Sequence, residues 1–235
     1  MSKKIAIIQS NYIPWKGYFD IINRVDEFIL VDDVQYTRRD WRNRNKIKSP
    51  QGTIWLTIPV EVKGKYEQPI KDTKIADLKW AKKHWTTIMS NYAKAPYFQE
   101  YKDQFEACYL NLTETSLSQV NYRFIQLINT ILGIKTIISW SSDYRIVEGK
   151  NERLIALCKQ AQATEYISGP SAKGYIDEKL FQQEHIRLTW MDYSGYPEYH
   201  QLFPPFDHYV SVLDVIFNEG PNATNFMLSF QRKRL

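Results

Sequence analysis

The chain has 235 residues, of which 43% are hydrophobic and 24% charged, which is the composition of a soluble globular protein long enough to bury a full core. Its formal net charge of +5 suits an anionic ligand, although a mild excess spread along a chain is usually solvated surface. The apolar runs are too short for a membrane-spanning helix, and the start Met-Ser-Lys-Lys leads straight into a predicted strand instead of a signal-peptide core. We therefore expect a cytoplasmic protein.

The first predicted strand, Ile5 to Ile8, ends abruptly in polar side chains, and Pro14 and an amphipathic helix follow it. Open α/β sheets bind ligands just beyond the carboxyl ends of their strands, so this stretch is the first candidate site. Its members are Gln9, Asn11, Tyr12, Trp15, Lys16, Gly17 and Tyr18. The alternative is an ordinary polar turn in which Asn11 caps the helix and the aromatic rings are packing.

A second predicted strand, Phe28 to Val31, also ends in polar residues. Strand, helix and strand together form a βαβ unit, so we predict that the two polar ends lie side by side. The side chains expected to share that cleft are Gln9, Asn11, Asp32 and Asp33.

Cations and amides surround a tryptophan in the next segment, Trp41-Arg42-Asn43-Arg44-Asn45. Guanidinium groups bind phosphate and carboxylate in a bidentate manner, which favours an anionic ligand. The candidates here are Asp32, Asp33, Gln35, Tyr36, Arg39, Trp41, Arg42, Arg44, Asn45 and Lys48. Single-stranded nucleic acid would also fit, and opposite charges such as Asp33 and Arg44 could simply pair with each other. A turn after Ser49 predicts a hairpin that pairs residues 45–48 with residues 53–60.

The middle of the chain is predicted to be a helical insertion at about residues 74–133. Apolar residues at helical spacing indicate helices over residues 76–92, from Pro96, and from Ser116 to Gly133. Cys108 and Cys158 lie far apart in such patterns, so we expect buried free thiols.

The C-terminal part returns to alternating strands and helices. Strands are predicted at residues 136–140, 165–168 and 186–191, with Asn151 as the cap of the helix between the first two. This alternation predicts one α/β domain over residues 1–235 with a mainly parallel, Rossmann-like sheet.

A Gly-rich turn follows the strand at residues 165–168 and could present backbone N–H groups to a phosphate. Its candidate ligand-binding residues are Ser168, Gly169, Ser171 and Lys173. The spacing is not that of a P-loop, and Gly-Pro turns are often only turns. The four His residues lack metal-ligand spacing, so no metal site is predicted.

Several motifs resemble the WbqC-like protein family, in the right order and over nearly the full length. The first is Gln9-Ser10-Asn11-Tyr12-Ile13-Pro14-Trp15-Lys16-Gly17-Tyr18-Phe19, with Ser10 where the family has Pro. The others lie at residues 32–36, 41–48, 56–60, 82–84, 95–98, 133–135, 166–175 and 211–220. The resemblance implies a protein encoded with bacterial surface-polysaccharide and O-antigen genes.

The segment Tyr12 to Tyr18 is also similar, more distantly, to the nucleotidylyltransferase signature, in which two His flank x-Gly. Trp15 and Tyr18 occupy the positions of those His. Neither side chain supplies the imidazole contacts that stabilise a transferring phosphate, so this resemblance implies a shared fold more than a shared chemistry.

The predicted function is modification of a nucleotide-linked sugar in surface-polysaccharide biosynthesis, by acyl or aminoacyl transfer to a sugar amine. Tyr18 or Asp33 would be the general base. Gln9 and Asn11 would orient the ligand, and Arg42, Arg44 and Lys48 would hold its anionic groups. The alternative is a non-catalytic protein that binds the sugar nucleotide or docks onto a glycosyltransferase, and a nucleic-acid binder is less favoured. The sequence identifies neither a cofactor nor an oligomeric state.

Overall fold

The computed structural model describes residues 2–231 and contains a five-stranded sheet and a separate two-stranded hairpin. The strands are β1 (Lys4–Ile8), β2 (Glu27–Leu30), β3 (Arg44–Ser49), β4 (Gly52–Thr57), β5 (Ile137–Trp140), β6 (Glu165–Ser168) and β7 (Arg187–Trp190). The α-helices are α1 (Lys16–Asn23), α2 (Lys79–Tyr92), α3 (Phe98–Leu110), α4 (Leu117–Leu132), α5 (Lys150–Gln160), α6 (Glu178–Gln183), α7 (Leu213–Glu219) and α8 (Leu228–Gln231). Short 3₁₀ helices lie at Ile70–Asp72, Ser141–Asp143, Pro170–Gly174 and Gly220–Phe226.

The five-stranded sheet is parallel throughout and has the order β5-β2-β1-β6-β7. The chain runs outward from β1 through β2 to β5 and then crosses back to β6 and β7 on the other side of β1. This reversal places the topological switch point between β1 and β6, which is where Rossmann-like sheets bind their ligands. The predicted fold class, a mainly parallel α/β sheet, is confirmed.

The central strands β1 and β2 are buried on both faces of the sheet, which explains why they are mainly apolar runs and not alternating patterns. On β1, Ala6 belongs to the larger core, which also holds the buried faces of α1 and α4. Ile5 and Ile7 belong to a second core with the buried residues of α5 and α6. Adjacent residues of β1 therefore serve opposite faces of the sheet, as the pleat of a strand requires.

The helices α2, α3 and α4 occupy the interval in which the helical insertion is predicted. Together with the hairpin of β3 and β4, they connect β2 to β5, which are parallel neighbours in the sheet. Helix α4 ends at Gly133, which has a φ of +70°. That left-handed conformation favours glycine, so the sequence located this helix end correctly.

Asn151 does not cap α5, contrary to the prediction. The cap position belongs to Gly149, with a φ of +92°, and Asn151 lies one residue inside the helix. Its Nδ2 donates to the carbonyl oxygen of Tyr175 at 3.1 Å, and its Oδ1 accepts from the backbone N–H of Asp177 at 2.9 Å. Asn151 therefore ties α5 to the segment that follows β6.

The first and last helices are joined through one buried carboxylate, that of Asp20 in α1. It accepts hydrogen bonds from the backbone N–H groups of Leu228 and Ser229, both at 2.9 Å. The hydroxyls of Tyr196 and Ser229 donate to the same carboxylate. These bonds hold α8 against α1.

Cys108 and Cys158 are buried free thiols, as predicted. Among residues 2–231, no helix has both the length and the apolar character needed to cross a bilayer.

Candidate functional site

The carboxyl ends of β1 and β2 lie side by side, as the βαβ pattern predicted. Ile8 is paired with Leu30, and the N–H of Val31 donates to the carbonyl oxygen of Ile8 at 3.2 Å. The expectation that four polar side chains share one cleft here is wrong. Gln9 and Asn11 both follow the end of β1, and the loop there directs them into two different cavities.

Asp32 connects three elements inside the protein. Its carboxylate accepts from the backbone N–H of Ser10 at 2.8 Å, from the Ser10 hydroxyl at 2.6 Å and from the hydroxyl of Ser118 in α4. Burial raises the pKa of Asp32, and the hydrogen bonds from Ser10 and Ser118 oppose that rise. These bonds use both oxygens of a buried carboxylate, so the contacts of Asp32 favour a role in organising the strand ends.

An aromatic cleft of about 220 Å³ lies beside the loop between β1 and α1; its lining residues are Asn11, Pro14, Trp15, Trp41, Asn45 and Tyr209. The structure thus brings together four of the predicted ligand-binding residues, and it adds Tyr209 from the loop before α7. The Trp15 and Tyr209 ring centroids are 5.7 Å apart. Trp15 also lies over Gly17, where an added Cβ would come within 2.3 Å of the indole ring.

The polar groups of the cleft come from two amides with different roles. A guanidinium N–H of Arg42 donates to Oδ1 of Asn11, which leaves the Nδ2 group of Asn11 as a hydrogen-bond donor to a ligand. Arg42 is itself held by Asp40, with 3.4 Å between Nη2 and Oδ2. Asn45, in contrast, is committed to the fold, because its Nδ2 donates to the carbonyl oxygen of Ile13 at 2.9 Å.

The backbone beside the cleft is strained at Ile13, which has a φ of +36°. A β-branched residue in the left-handed region costs roughly 1–3 kcal/mol and persists only where its surroundings fix it. Its carbonyl oxygen also accepts from the hydroxyl of Ser211 at 2.7 Å. Such strain is common at ligand sites, which strengthens the assignment of this loop as a candidate site.

The hairpin of β3 and β4 presents cations and rings to solvent next to the aromatic cleft. A cavity of about 380 Å³, here the hairpin cavity, is lined by Arg39, Asp40, Trp41, Arg44, Lys46 and Trp55. Trp41 forms part of the wall of both cavities. The guanidinium of Arg44 lies 4.2 Å from the ring centroid of Trp55 and not against Asp33, so the alternative of an Asp33–Arg44 pair is wrong.

Lys48 does not join this surface. It is buried, and its ammonium donates to the carbonyl oxygen of Pro205. The anion-binding role predicted for Lys48 therefore has less support than that of Arg44.

A third cavity, the basic cavity, lies on the α5 side of the same strand ends and has a volume of about 480 Å³. Its lining residues are Ile7, Gln9, Val31, Val34, Gly149, Lys150, Arg153, Leu154 and Tyr175. Asp33 borders it through an ion pair with Arg153, with 3.1 Å between Oδ2 and Nη1. Gln9 is the predicted site residue that lines this cavity.

The two predicted catalytic residues, Tyr18 and Asp33, have contacts that favour positioning roles. Tyr18 is buried, its hydroxyl donates to the carbonyl oxygen of Gln9 at 3.0 Å, and burial raises the pKa of the phenol well above its ordinary value. A phenolate base is therefore disfavoured at this position. Asp33 accepts from the Ser141 hydroxyl and pairs with Arg153. Their roles as general bases stay predictions.

The remaining predicted residues lie outside the aromatic cleft and the basic cavity. Tyr12 is fully buried, and its hydroxyl contacts His84 Nδ1 at 2.9 Å. Gln35 donates to the carbonyl oxygen of Tyr66 at 3.0 Å. In the turn after β6, Ser168 is buried and Lys173 lies 5.6 Å from the ring centroid of Trp190. Gly169 and the exposed Ser171 belong to the same turn.

Sequence reasoning missed Lys150, Arg153, Tyr175 and Tyr209. Lys150 and Arg153 could have been found, because they follow the third strand of the parallel sheet and must lie at its ligand-binding edge. Tyr209 could not, since nothing local in a loop rich in aromatic residues selects the ring that reaches Trp15.

The model of the WbqC-like protein family matches residues 9–226. The chain is also 52% identical over 225 residues to a protein of Mycobacterium tuberculosis strain H37Rv described as Uncharacterized protein Rv1507c, with 96% of this chain and 97% of that protein covered. No solved structure matches the chain. The matched span includes every residue of the aromatic cleft and of the basic cavity except Ile7.

Proposed function

The chain belongs to the WbqC-like protein family, and from this membership and the site geometry we propose that it modifies a nucleotide-linked sugar in surface-polysaccharide assembly. The observation that carries the proposal is the aromatic cleft and the cations that continue from it along the hairpin. The ring of the ligand occupies the cleft, and its phosphates extend past Trp41 toward Arg44.

The size and chemistry of the aromatic cleft suit a single ring. Its volume of about 220 Å³ is below the roughly 300–1,000 Å³ of pockets for drug-sized ligands. The rings of Trp15, Trp41 and Tyr209 offer stacking faces, and Asn11 offers an amide N–H group. Flat aromatic walls with one or two polar groups favour a nucleobase or a sugar ring over an extended apolar chain.

The anionic part of the ligand is matched by three cations that line the hairpin cavity, Arg39, Arg44 and Lys46. Arg44 is the strongest candidate because its guanidinium is stacked on Trp55 and is not in an ion pair with a residue of the described chain. Phosphate is a good partner for such a group, since guanidinium binds it through two parallel hydrogen bonds.

The proposed reaction is acyl or aminoacyl transfer to an amine of the sugar. In this reaction the neutral amine attacks the acyl carbon, a C–N bond forms, the donor's leaving group departs with the bond electrons, and the amine loses a proton. Asp40 lines the hairpin cavity, where its Oδ1 accepts from the Trp41 backbone N–H and its Oδ2 lies 3.4 Å from Arg42, and in this proposal its carboxylate accepts that proton.

A second candidate function is favoured by one observation. Within the described part of the chain, no residue that lines the aromatic cleft carries a carboxylate or an imidazole. This composition suits a non-catalytic protein that binds the sugar nucleotide or docks onto a glycosyltransferase.

Binding is tested first, by thermal shift with UDP-, GDP- and dTDP-linked sugars followed by calorimetry on variants. Trp41→Ala should lower the affinity for the best ligand about 5- to 150-fold, because stacking on an aromatic ring contributes roughly 1–3 kcal/mol. Tyr66→Ala, which removes an exposed ring outside the cleft, should leave the affinity within twofold of wild type. Equal affinities in the two variants would contradict the proposal.

Catalysis is tested by mass spectrometry of a dTDP-amino sugar incubated with acyl donors. A product heavier by one acyl group, formed only with protein, supports the transferase. Tight binding with no product from any donor supports the non-catalytic alternative.

A further inference from the structure

The basic cavity is separate from the surface used in the proposed function. It lies on the other side of β1, beside the switch point between β1 and β6. Its walls come from the ends of β1 and β2, from α5 and from Tyr175, which follows β6. The side chains of Ile7, Val31, Val34 and Leu154 form an apolar wall opposite the polar groups.

Two cationic side chains, Lys150 and Arg153, line this cavity. Within the described chain, the Lys150 ammonium and one nitrogen of the Arg153 guanidinium have no ion-pair partner. Lys150 makes no ion pair among residues 2–231. Its ammonium nitrogen lies 6.0 Å from the centroid of the Tyr175 ring. Two contacts hold the guanidinium of Arg153 in place. Its Nη1 is 3.1 Å from Oδ2 of Asp33, and its Nε donates to the carbonyl oxygen of Val147 at 3.3 Å. Its Nη2 group remains available to a ligand.

The third polar group is the amide of Gln9. The backbone carbonyl of Gln9 accepts from Tyr18, but within the described chain its side-chain amide makes no hydrogen bond. Gln9 follows directly after β1, so the amide lies at the sheet edge where Rossmann-like folds place their ligands.

Among residues 2–231, no carboxylate lines the cavity. The acidic residues nearest to the cavity lie outside its lining. Asp33 pairs with Arg153, and Glu152 lies against Gly149, where an added Cβ would be 2.2 Å from Oε2. The polar side of the cavity therefore offers donors from an ammonium, a guanidinium edge and the NH₂ group of an amide.

We propose that the basic cavity binds the phosphate of a second organic ligand, distinct from the nucleotide sugar of the aromatic cleft. Lys150, Arg153 and Gln9 contact the phosphate oxygens, and the apolar wall and Tyr175 hold the organic part. A volume of about 480 Å³ is within the range of small-molecule sites and exceeds what a lone phosphate needs. A transfer reaction with two substrates requires a second site of this kind, and the assignment of the cavity stands without that reaction.

The test uses inorganic pyrophosphate, which has no ring to stack in the aromatic cleft. Calorimetry should show binding to the wild-type protein, and Lys150→Met should weaken it about 10-fold or more, because a charge-assisted hydrogen bond contributes roughly 1.5–3 kcal/mol. Lys159→Met is the matched control, since Lys159 is on the same helix and pairs at the surface with Glu184. It should leave the affinity within twofold.

Three results would overturn the proposal. They are absence of pyrophosphate binding, equal losses in Lys150→Met and Lys159→Met, and a loss confined to Arg44→Gln, which would assign the pyrophosphate to the hairpin. Failure to find a nucleotide-sugar ligand would contradict the proposed function and leave this result intact, because the probe has no sugar and no base.

Discussion

Asp33 and Arg153 form an ion pair across 120 residues of sequence, with 3.1 Å between the carboxylate Oδ2 and the guanidinium Nη1. Asp33 follows β2, and Arg153 is in the first half of α5. The carboxylate is nearly buried while the guanidinium keeps one edge toward the basic cavity. This geometry favours a positioning role for Asp33 toward Arg153.

Asp33→Asn distinguishes this positioning role from the general-base role. If Asp33 positions Arg153, the variant should lower pyrophosphate affinity several-fold, and a cycle with Arg153→Gln should give a coupling of about 0.5–3 kcal/mol. If Asp33 is a general base, turnover should collapse while binding survives. Calorimetry and the transfer assay on the same preparations separate the two outcomes.

Gly17→Ala should displace the Trp15 indole from the aromatic cleft. The new Cβ would be 2.3 Å from the ring, and Trp15 has no room to remain in place. We expect nucleotide-sugar affinity to fall about 10-fold and stability to fall by up to about 2 kcal/mol, because overpacking costs about 1–3 kcal/mol and the helix preference for alanine over glycine offsets up to about 1 kcal/mol of it. Gly174→Ala, with nothing within 4 Å of its Cβ, should leave both properties near wild type. Calorimetry and urea unfolding measure them.

His84 should make the protein less stable in mild acid. Burial lowers the pKa of this imidazole to about 4, from an ordinary value near 6.5. Between these values the unfolded chain binds the proton and the folded chain does not, so stability is full above about pH 6.5 and falls as the pH drops toward 4. The total loss is about 3 kcal/mol.

Urea unfolding at pH 7 and pH 5 checks this dependence. His84→Gln should flatten it, whereas His200→Gln, at an exposed position, should retain it. An unchanged pH slope in His84→Gln would assign the effect to other groups.

Gly220→Ala should be among the most destabilising single changes in the chain. Gly220 has a φ of +52°, and an added Cβ would lie 2.4 Å from the Tyr97 ring. Backbone strain and overpacking together should cost about 2–6 kcal/mol. Gly133→Ala has a similar φ of +70° but no atom within 4 Å, so it should cost only about 1 kcal/mol. Similar losses in the two variants would mean that Tyr97 moves aside easily.

Single-stranded nucleic acid should bind weakly to the hairpin surface of Trp41, Trp55 and Arg44. The few cations there can neutralise only a few phosphates, so the affinity should fall with a shallow salt slope. Titration of a labelled oligonucleotide at low and moderate salt measures that slope. Tight binding that falls steeply with salt would favour a nucleic-acid function instead.

Local patterns were sufficient for the framework of the fold. Short apolar runs predicted β1 and β2, and the Gly at residue 133 marked the end of α4, because each depends on residues close in sequence. The parallel pairing of β1 with β2 followed from the βαβ rule.

The candidate site was harder to predict because its contacts are long-range. Asp32 is predicted to bind a ligand, and the structure shows that it accepts from the hydroxyl of Ser118 in α4, which is 86 residues away. Lys48 is predicted to hold an anion, and its ammonium donates instead to the carbonyl oxygen of Pro205, a contact that spans 157 residues of sequence. The sequence shows that polar residues follow the strand ends. It does not show which of their hydrogen-bonding groups are already bonded by residues that are distant in sequence.

The bonds between Asp20 and α8 have a consequence for the order of events on the ribosome. Helix α1 is synthesised first and α8 last, yet the buried carboxylate of Asp20 depends on the N–H groups of Leu228 and Ser229. A carboxylate that lacks such partners is costly to bury, so a nascent chain can pair its strands but cannot seat α1 as it is in the finished protein. Helix α8 must therefore be synthesised before α1 can take its final position, and a nascent chain that lacks α8 leaves the Asp20 carboxylate without two of its backbone donors.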